Sequence, residues 1–181
     1  PAVGIEMFDS FDGTVSPVSF DPIIAAQLAV KYFLRLKLKH IKVFYFQHAP
    51  IFKFRAECFE LCWRQHGTFE YIPYGIDVTH VHKLIAPEPG AGLLFTAGSY
   101  CEDYGKFFLR ETGKRLTDVF PVLSMDGKSL VISSYAPVDT ITIDWKSAGQ
   151  AAFDELLRRL NNPASEIRRI CIEPKLVIAD R

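Results

Sequence analysis

Short apolar runs alternate along the chain with longer segments whose apolar residues follow helical spacing. The runs predict strands at residues 2–7, 15–20, 41–46, 69–71, 92–96, 120–124, 140–143 and 176–178. The longer segments predict helices at residues 22–38, 51–66, 102–112 and 146–161. Several runs are apolar at nearly every position, which is typical of strands covered on both faces. The alternation predicts an α/β fold with a mainly parallel sheet.

Local residue choices mark the ends of the predicted helices. Asp21 followed by Pro22 fits an N-cap with proline at the first helical position. Gly67 and Gly113 stand where a glycine C-cap is expected for the second and third helices. Asn161-Asn-Pro163 closes the last helix.

Composition narrows the class of protein. The 181 residues are 49% hydrophobic and 23% charged, which is an ordinary globular balance and argues against disorder. Basic and acidic residues both number 21, so the chain lacks the excess of positive charge that a nucleic-acid-binding surface needs. No apolar run reaches 18 residues, and no transmembrane helix is predicted. The four cysteines lack a disulfide-framework spacing, which favours a reducing cytosol.

The order of short motifs is more informative than the composition. The last third reads Val119-Phe-Pro-Val-Leu-Ser-Met-Asp-Gly127, Tyr135-Ala-Pro-Val-Asp-Thr-Ile-Thr-Ile-Asp144, Ser147-Ala-Gly-Gln-Ala-Ala-Phe-Asp-Glu-Leu-Leu157 and Glu173-Pro-Lys-Leu-Val-Ile-Ala-Asp-Arg181. Earlier come Pro1-Ala-Val-Gly-Ile-Glu6, Val15-Ser-Pro-Val-Ser-Phe-Asp21 and Phe54-Arg-Ala-Glu-Cys-Phe-Glu-Leu61. In this order and spacing, the motifs resemble the effector-binding domain of the LacI/GalR transcriptional regulators. The chain departs from the family pattern at Leu38-Lys39, which replaces Gly-His, and at Cys58, which replaces a glycine.

The resemblance implies the type I periplasmic binding protein fold, in which three crossings join two lobes. The motifs place the crossings near residues 38–40, 140–144 and 163–168. Residues 1–39 and 144–162 would form a partial N-terminal lobe, and 40–143 with 163–181 would form the C-terminal lobe. We expect the family's first strands and helices, and its DNA-binding head, to precede Pro1, so that this chain is an N-terminally truncated piece.

The same resemblance implies a ligand-sensing protein that binds a small polar effector, most simply a sugar, between the lobes. It further implies a cytoplasmic homodimer that reaches DNA only through a segment absent from this chain, with no cofactor and no membrane contact. The alternative is a periplasmic sugar-binding receptor of an uptake system. Residues upstream of Pro1 would distinguish the two, because a helix-turn-helix marks a regulator and a signal peptide marks a receptor. The identity of the effector, the operator, and induction against corepression stay open.

Arg55 is the first candidate site residue. It is predicted at the start of the helix after strand 41–46, at the carboxyl edge of the sheet, where open α/β sheets bind ligands. A guanidinium offers five donors in a fixed geometry that suits sugar hydroxyls or a carboxylate. The family places an effector-binding arginine at the matching position. The alternative is a surface arginine paired with Glu57 or Glu60.

Asp126 and Trp145 are the next candidates. Asp126 follows strand 120–124 and precedes Gly127, so its carboxylate should reach the cleft and accept two hydroxyl hydrogen bonds. The family's matching aspartate has this role, and the alternative is a residue that only stabilises the Asp-Gly turn. Trp145 follows the second proposed crossing, where an indole would stack on a sugar face; the alternative is a core or hinge tryptophan.

Loop residues complete the predicted ligand site. His48 and Phe52 follow strand 41–46, Tyr74 follows the next strand, and Ser99 and Tyr100 lie in the loop where the family has Asn-Asp. The last departure removes a typical amide contact to the ligand.

The motifs of catalysis and metal binding are missing. His80-x-His82 would point two imidazoles to one side of a strand, but no third ligand stands at a recognisable spacing. Ser99 lacks the Gly-x-Ser-x-Gly nucleophile elbow, and no Gly-x-Gly-x-x-Gly or Walker loop occurs. We therefore predict a protein that is not an enzyme and has no metal site.

Overall fold

The computed structural model describes residues 2–5, 15–74, 90–125 and 138–180. Its strands are β1 (Ala2–Ile5), β2 (Val15–Phe20), β3 (His40–Phe46), β4 (Thr68–Tyr74), β5 (Ala91–Phe95), β6 (Val122–Ser124), β7 (Asp139–Thr142), β8 (Ile170–Ile172) and β9 (Lys175–Val177). Its helices are α1 (Pro22–Arg35), α2 (Pro50–Trp63), α3 (Gly98–Thr112), α4 (Leu116–Val119) and α5 (Trp145–Asn161). None of these helices is both long and apolar enough to cross a membrane.

The described strands form two sheets. The smaller sheet has the order β1-β2-β8 with parallel pairing throughout. The larger sheet has the order β4-β3-β5-β6-β7-β9, and all its pairs are parallel except β7 with β9. The chain passes between the sheets after β2, between β7 and α5, and between β8 and β9. The predicted α/β fold with a mainly parallel sheet is confirmed.

The helices divide between the two sheets. Helix α1 packs against α2, β7 and β9 of the larger sheet, whereas α5 packs against β1, β2 and β8 of the smaller sheet. The division of the chain into two lobes stays a prediction. These contacts favour a first crossing at Asp21, whereas the motifs predicted it at residues 38–40. They also favour a third crossing at residues 173–174, whereas the motifs predicted it at 163–168.

The larger sheet carries apolar packing on both faces. On one face Phe33 of α1 contacts Phe59 and Trp63 of α2 at ring-centroid distances of 6.1 and 6.3 Å. On the other face Phe44 stacks on Phe95 at 4.3 Å and meets Tyr104 of α3 at 5.5 Å. Side chains alternate between the faces of a strand, so both faces need apolar residues. This arrangement explains the nearly continuous apolar runs in the sequence.

Three of the four predicted helix ends are confirmed, and one is wrong. The last helix, α5, ends at Asn161 as predicted. The Asp21 carboxylate accepts hydrogen bonds from the backbone N–H groups of Ile23 (2.9 Å) and Ile24 (3.1 Å) at the start of α1. Gly113 closes α3 with a left-handed φ of 68°, and its N–H donates to the carbonyl of Leu109. Gly67 does not cap α2, since that helix already ends at Trp63.

Candidate functional site

The candidate site lies at the carboxyl edge of the larger sheet. Helix α2 follows β3 there, α3 follows β5, and the end of β2 in the smaller sheet faces them. Strand β3 is paired with β4 on one side and β5 on the other. The connection that leaves β3 goes to β4 on one side, whereas the connection that leaves β5 goes to β6 on the other. The point between β3 and β5 is therefore the type of switch point where α/β folds bind ligands.

Arg55 of α2 lies at the centre of this edge and is only 3% exposed. Its Nη1 donates to the carbonyl oxygens of Thr96 (2.8 Å) and Met125 (3.0 Å), which directly follow β5 and β6. The guanidinium thus joins the ends of two neighbouring strands and is held in a fixed orientation. Hydrogen bonds of this kind are strong because the donor carries a charge.

Glu57 and Glu60, the alternative partners of Arg55, contact other side chains. Glu60 accepts a hydrogen bond from Arg64 at 2.5 Å, and Glu57 lies 3.6 Å from Lys53. The interpretation of Arg55 as a surface arginine is therefore wrong. Its role in binding a ligand stays a prediction.

Two aromatic rings, one from the smaller sheet and one from α2, flank the Arg55 guanidinium. Its Cζ atom lies 4.1 Å from the ring centroid of Phe20 and 5.3 Å from that of Phe52. Both distances are within the range of cation–π attraction. Phe20 ends β2 of the smaller sheet, whereas Phe52 and Arg55 belong to α2 beside the larger one. This contact therefore connects the two parts of the fold.

A chain of ring contacts continues from Phe52 along the edge. Phe52 meets Tyr100 at a centroid distance of 5.5 Å, Tyr100 meets Phe46 at 5.4 Å, and Phe46 meets His48 at 5.6 Å. We call Phe46, His48, Phe52 and Tyr100 the aromatic rim. His48 is exposed and the other three are half-buried. The rim combines flat apolar faces with a phenol hydroxyl and an imidazole, a set of groups suited to binding a sugar ring.

The remaining predicted site residues are spread more widely. Ser99 is exposed at the second position of α3, next to Tyr100. Trp145 is the first residue of α5 and is 42% exposed. The preceding Asp144 caps α5, and hydrogen bonds from Ser147 and then Lys146 lower the pKa of its carboxyl group.

Asp126, His80 and His82 lie outside the described residues, as does the side chain of Tyr74. Their proposed or rejected roles stay predictions. Among the residues that the structure describes, no group of three or more His, Cys, Asp or Glu side chains is placed to hold a metal ion.

Sequence reasoning missed Phe20, Phe46 and the two carbonyls that bind Arg55. Phe20 and Phe46 share one usable signal, since each is the last residue of a strand that leads into a helix at the cleft edge. The carbonyls of Thr96 and Met125 have no such signal, because every residue carries a carbonyl.

Comparisons with known proteins identify the fold. No protein-family model matches the sequence, and no curated protein matches it either. Among solved structures, a LacI transcriptional regulator from a Rhodococcus species superimposes with a TM-score of 0.80 at 20% identity, over 99% of this chain and 68% of the other. A LacI family transcriptional regulator from Enterococcus faecalis V583 with bound ribose gives 0.78 at 19% identity, over 99% and 67%. Another from Arthrobacter sp. FB24 in complex with lactose gives 0.76 at 18% identity, over 99% and 70%.

These similarities extend over almost the whole chain. The chain has the periplasmic-binding-protein-like fold of these regulators, as the motifs predicted. It spans about two thirds of the length of each of the three structures.

Proposed function

We propose that this chain is the sugar-sensing domain of a LacI/GalR-like, DNA-binding transcriptional regulator that works in the cytoplasm as a dimer. The observation that carries the proposal is the placement of Arg55. Its guanidinium is held by the carbonyls that follow β5 and β6, and it lies close to one aromatic ring of the smaller sheet and one of α2. The ribose and lactose in the structures of similar fold support a sugar as the effector class.

The chemistry of the site suits a sugar. A guanidinium whose orientation is already fixed loses little conformational entropy when it donates to ring hydroxyls. The aromatic rim provides flat faces for the apolar C–H side of the sugar. The resemblance adds Asp126 as an acceptor for two hydroxyl groups and Trp145 as a further stacking surface.

Transmission of the signal follows from the contact between Phe20 and Arg55. Phe20 belongs to the smaller sheet, and Arg55 belongs to α2, which packs beside the larger sheet. Opening of the cleft would therefore separate the two side chains. A sugar that contacts Arg55 and the walls on both sides would bind the open and closed arrangements with different affinity. That difference in affinity would shift their populations, and a DNA-binding segment outside this chain would respond.

Calorimetric titration of the chain with pentoses, hexoses and disaccharides tests the proposal. We expect at least one sugar to bind. Arg55→Lys should weaken binding by about tenfold or more, because an ammonium group cannot keep both carbonyl contacts and still present a planar set of donors. Tyr100→Ala should weaken it by a similar factor through loss of a stacking face.

Arg64→Lys is the matched control. It changes an exposed arginine on the same helix whose partner is Glu60, so sugar affinity should not change. Circular dichroism checks that each variant is folded. The proposal fails if no sugar in the panel binds, or if Arg55→Lys binds as tightly as the original chain.

A further inference from the structure

The first turns of two helices meet at the carboxyl edge of the larger sheet. Helix α2 begins at Pro50 and α3 begins at Gly98, and they follow the neighbouring strands β3 and β5. The third residue of each helix carries an aromatic ring, and these rings, Phe52 and Tyr100, lie 5.5 Å apart between centroids. The N-termini of the two helices therefore converge on one region of the proposed cleft.

Neither of these N-termini is capped by a side chain within the described part of the chain. Ala49 and Ala97 stand at the N-cap positions, and neither first turn contains an acidic residue, whereas α1 and α5 are each capped by an aspartate. The first N–H groups of a helix have no partner inside it, and the helix dipole places partial positive charge there. Ile51, Gly98 and Ser99 therefore bring backbone donors to this region, and Ser99 adds an exposed hydroxyl.

A buried hydroxyl at the start of α3 lacks a hydrogen-bond partner. Ser124 is the last residue of β6 and is 0% exposed, and its Oγ has no partner among the described residues. Val122 packs in one apolar cluster with Cys101 of the first turn of α3, so the side chain of Ser124 points to that same face of the sheet. Its strand partner Phe95 stands three residues before α3 begins. Buried hydroxyls almost always have a partner, so an acceptor oxygen supplied by a ligand would satisfy this one.

The groups gathered here are backbone donors and hydroxyls that can donate. An ionised acid group consists of acceptors only, and the positive end of a helix favours it over a neutral group. The carboxylate of Asp21, at the facing end of β2, is already bound to the first turn of α1 and does not compete for these donors.

We propose that the effector is an anionic sugar, which carries a phosphate or carboxylate group, and that this group binds at the first turns of α2 and α3 beside Ser124. The inference rests on the proposed function, because it names the class of sugar that the same cleft would bind. It places the acid group on backbone donors and requires no further hydrogen bond from Arg55.

Calorimetric titration with matched sugars tests the proposal. The neutral sugars are ribose and glucose, and their anionic counterparts are ribose 5-phosphate, glucose 6-phosphate and glucuronate. We expect at least one anionic sugar to bind about tenfold more tightly than its neutral parent, because a charge-assisted hydrogen bond is roughly twice as strong as a neutral one. Inorganic phosphate should bind about tenfold more weakly than the sugar phosphate, because it lacks a sugar ring to contact the aromatic rim.

Two variants locate the acid group. Ser99→Asp places a carboxylate in the first turn of α3, where it suits the helix dipole but repels an anion, so the ratio of anionic to neutral affinity should fall to about one. Ser124→Ala removes a hydroxyl that has no partner among the described residues, so the thermal midpoint should not fall, whereas the ratio should fall a few-fold. Gln65→Glu is the control, since it adds the same charge at an exposed site beyond the other end of α2 and should leave the ratio unaltered.

The outcomes separate this inference from the proposed function. Neutral and anionic sugars that bind equally well would overturn the inference and leave the sugar-sensing role intact, as would a ratio that Ser99→Asp does not change. Inorganic phosphate that binds as tightly as a sugar phosphate would also overturn it, because the site would then serve the ion alone. If no sugar of either kind binds, both proposals fail.

Discussion

At the scale of single residues, Glu155 shows how a buried charge is accommodated. This residue of α5 is 4% exposed and accepts hydrogen bonds from Arg158 (2.7 Å to each carboxylate oxygen) and from the hydroxyl of Ser16 on β2 (2.8 Å). The bonds from Arg158, and then the bond from Ser16, lower the pKa of the carboxyl group from 4.5 to about 2. The group therefore ties α5 to the smaller sheet in its ionised form.

Glu155→Gln should lower the free energy of unfolding at pH 7 by about 1–3 kcal/mol, because it removes the charge from a buried network. Since the folded pKa lies below the unfolded value, the stabilisation by the carboxylate is complete above the unfolded pKa and is lost as the pH falls toward the folded one. The difference in the free energy of unfolding between the variant and the original chain should thus begin to narrow near pH 5 and continue to narrow toward about pH 2, the interval set by the two pKa values.

Urea denaturation across that pH range measures the gap. Glu57→Gln is the control: its exposed pair with Lys53 at 3.6 Å should contribute less than about 0.5 kcal/mol at any pH. A deficit in Glu155→Gln that stays constant from pH 7 to pH 3 would show that the charge is not its cause.

Contacts between residues that are close along the chain could be predicted from the sequence, whereas contacts between distant residues could not. Asp21 was predicted to cap α1 because its partners are the N–H groups two and three residues ahead. The carbonyls that hold Arg55 belong to residues 41 and 70 positions away. No local pattern encodes that distance. The resemblance could therefore place Arg55 at the cleft, but the residues around it could not show what would fix its orientation.

At the scale of elements, a close approach between backbones explains Gly67. A Cβ atom there would lie 2.2 Å from the carbonyl oxygen of Lys39 and 3.1 Å from the ring of Trp63. The same carbonyl accepts a hydrogen bond from the N–H of Thr68 at 2.8 Å, at the start of β4. Relief of the clash would therefore disturb the pairing of β3 with β4.

Gly67→Ala should lower the free energy of unfolding by about 1–3 kcal/mol, as overpacked sites usually do. Gly105→Ala is its matched control, since a Cβ at Gly105 would meet no atom within 4 Å and Gly105 lies inside α3. That change should stabilise the protein by about 0.5–1 kcal/mol through helix propensity. Chemical denaturation of both variants checks the contrast. Equal free energies of unfolding for Gly67→Ala and Gly105→Ala would contradict the predicted clash at Gly67.

Short elements and uncapped ends were the ones that the sequence pattern did not reveal. Strand β8 has three residues and lies between Arg168-Arg169 and Glu173, too short a run to show strand periodicity. Helix α3 was expected to start at Glu102 but starts at Gly98, because Ala97 at its N-cap makes no side-chain hydrogen bond that a capping motif could signal. Helix α1 ends at Arg35, three residues before the predicted end at residue 38. Lys37 then adopts a left-handed φ of 58°, and no glycine stands there to indicate this conformation in the sequence.

At the scale of the whole molecule, the alternation of strands and helices could be predicted from the sequence, but the sheet against which each helix packs could not. Alternating periodicities identify strands and helices, and motif order then selects the fold. The side on which a helix packs depends on contacts between distant segments. Helix α1 follows β2 of the smaller sheet but packs on the larger one. The proposed cleft lies near the N-terminal end of that helix, beside Phe20.

Tryptophan fluorescence provides a test of movement between the two sheets. The chain has two tryptophans, and Trp63 is fully buried, with its Nε1 donating to the carbonyl of Thr68 at 2.9 Å. Trp145 is 42% exposed where the chain passes from β7 to α5, so a change in the relative position of the sheets should alter its surroundings.

A sugar found to bind by calorimetry should shift the emission to shorter wavelength, because closure of the cleft would remove the Trp145 indole from water. Trp145→Phe should abolish this shift while leaving the signal of Trp63 in place, since that indole belongs to the packed core and not to a crossing. A shift that persists in Trp145→Phe would place the change in the core around Trp63. A sugar that binds without any change in emission would mean that binding does not rearrange the segment between β7 and α5, and the proposed coupling of the sheets would then be wrong.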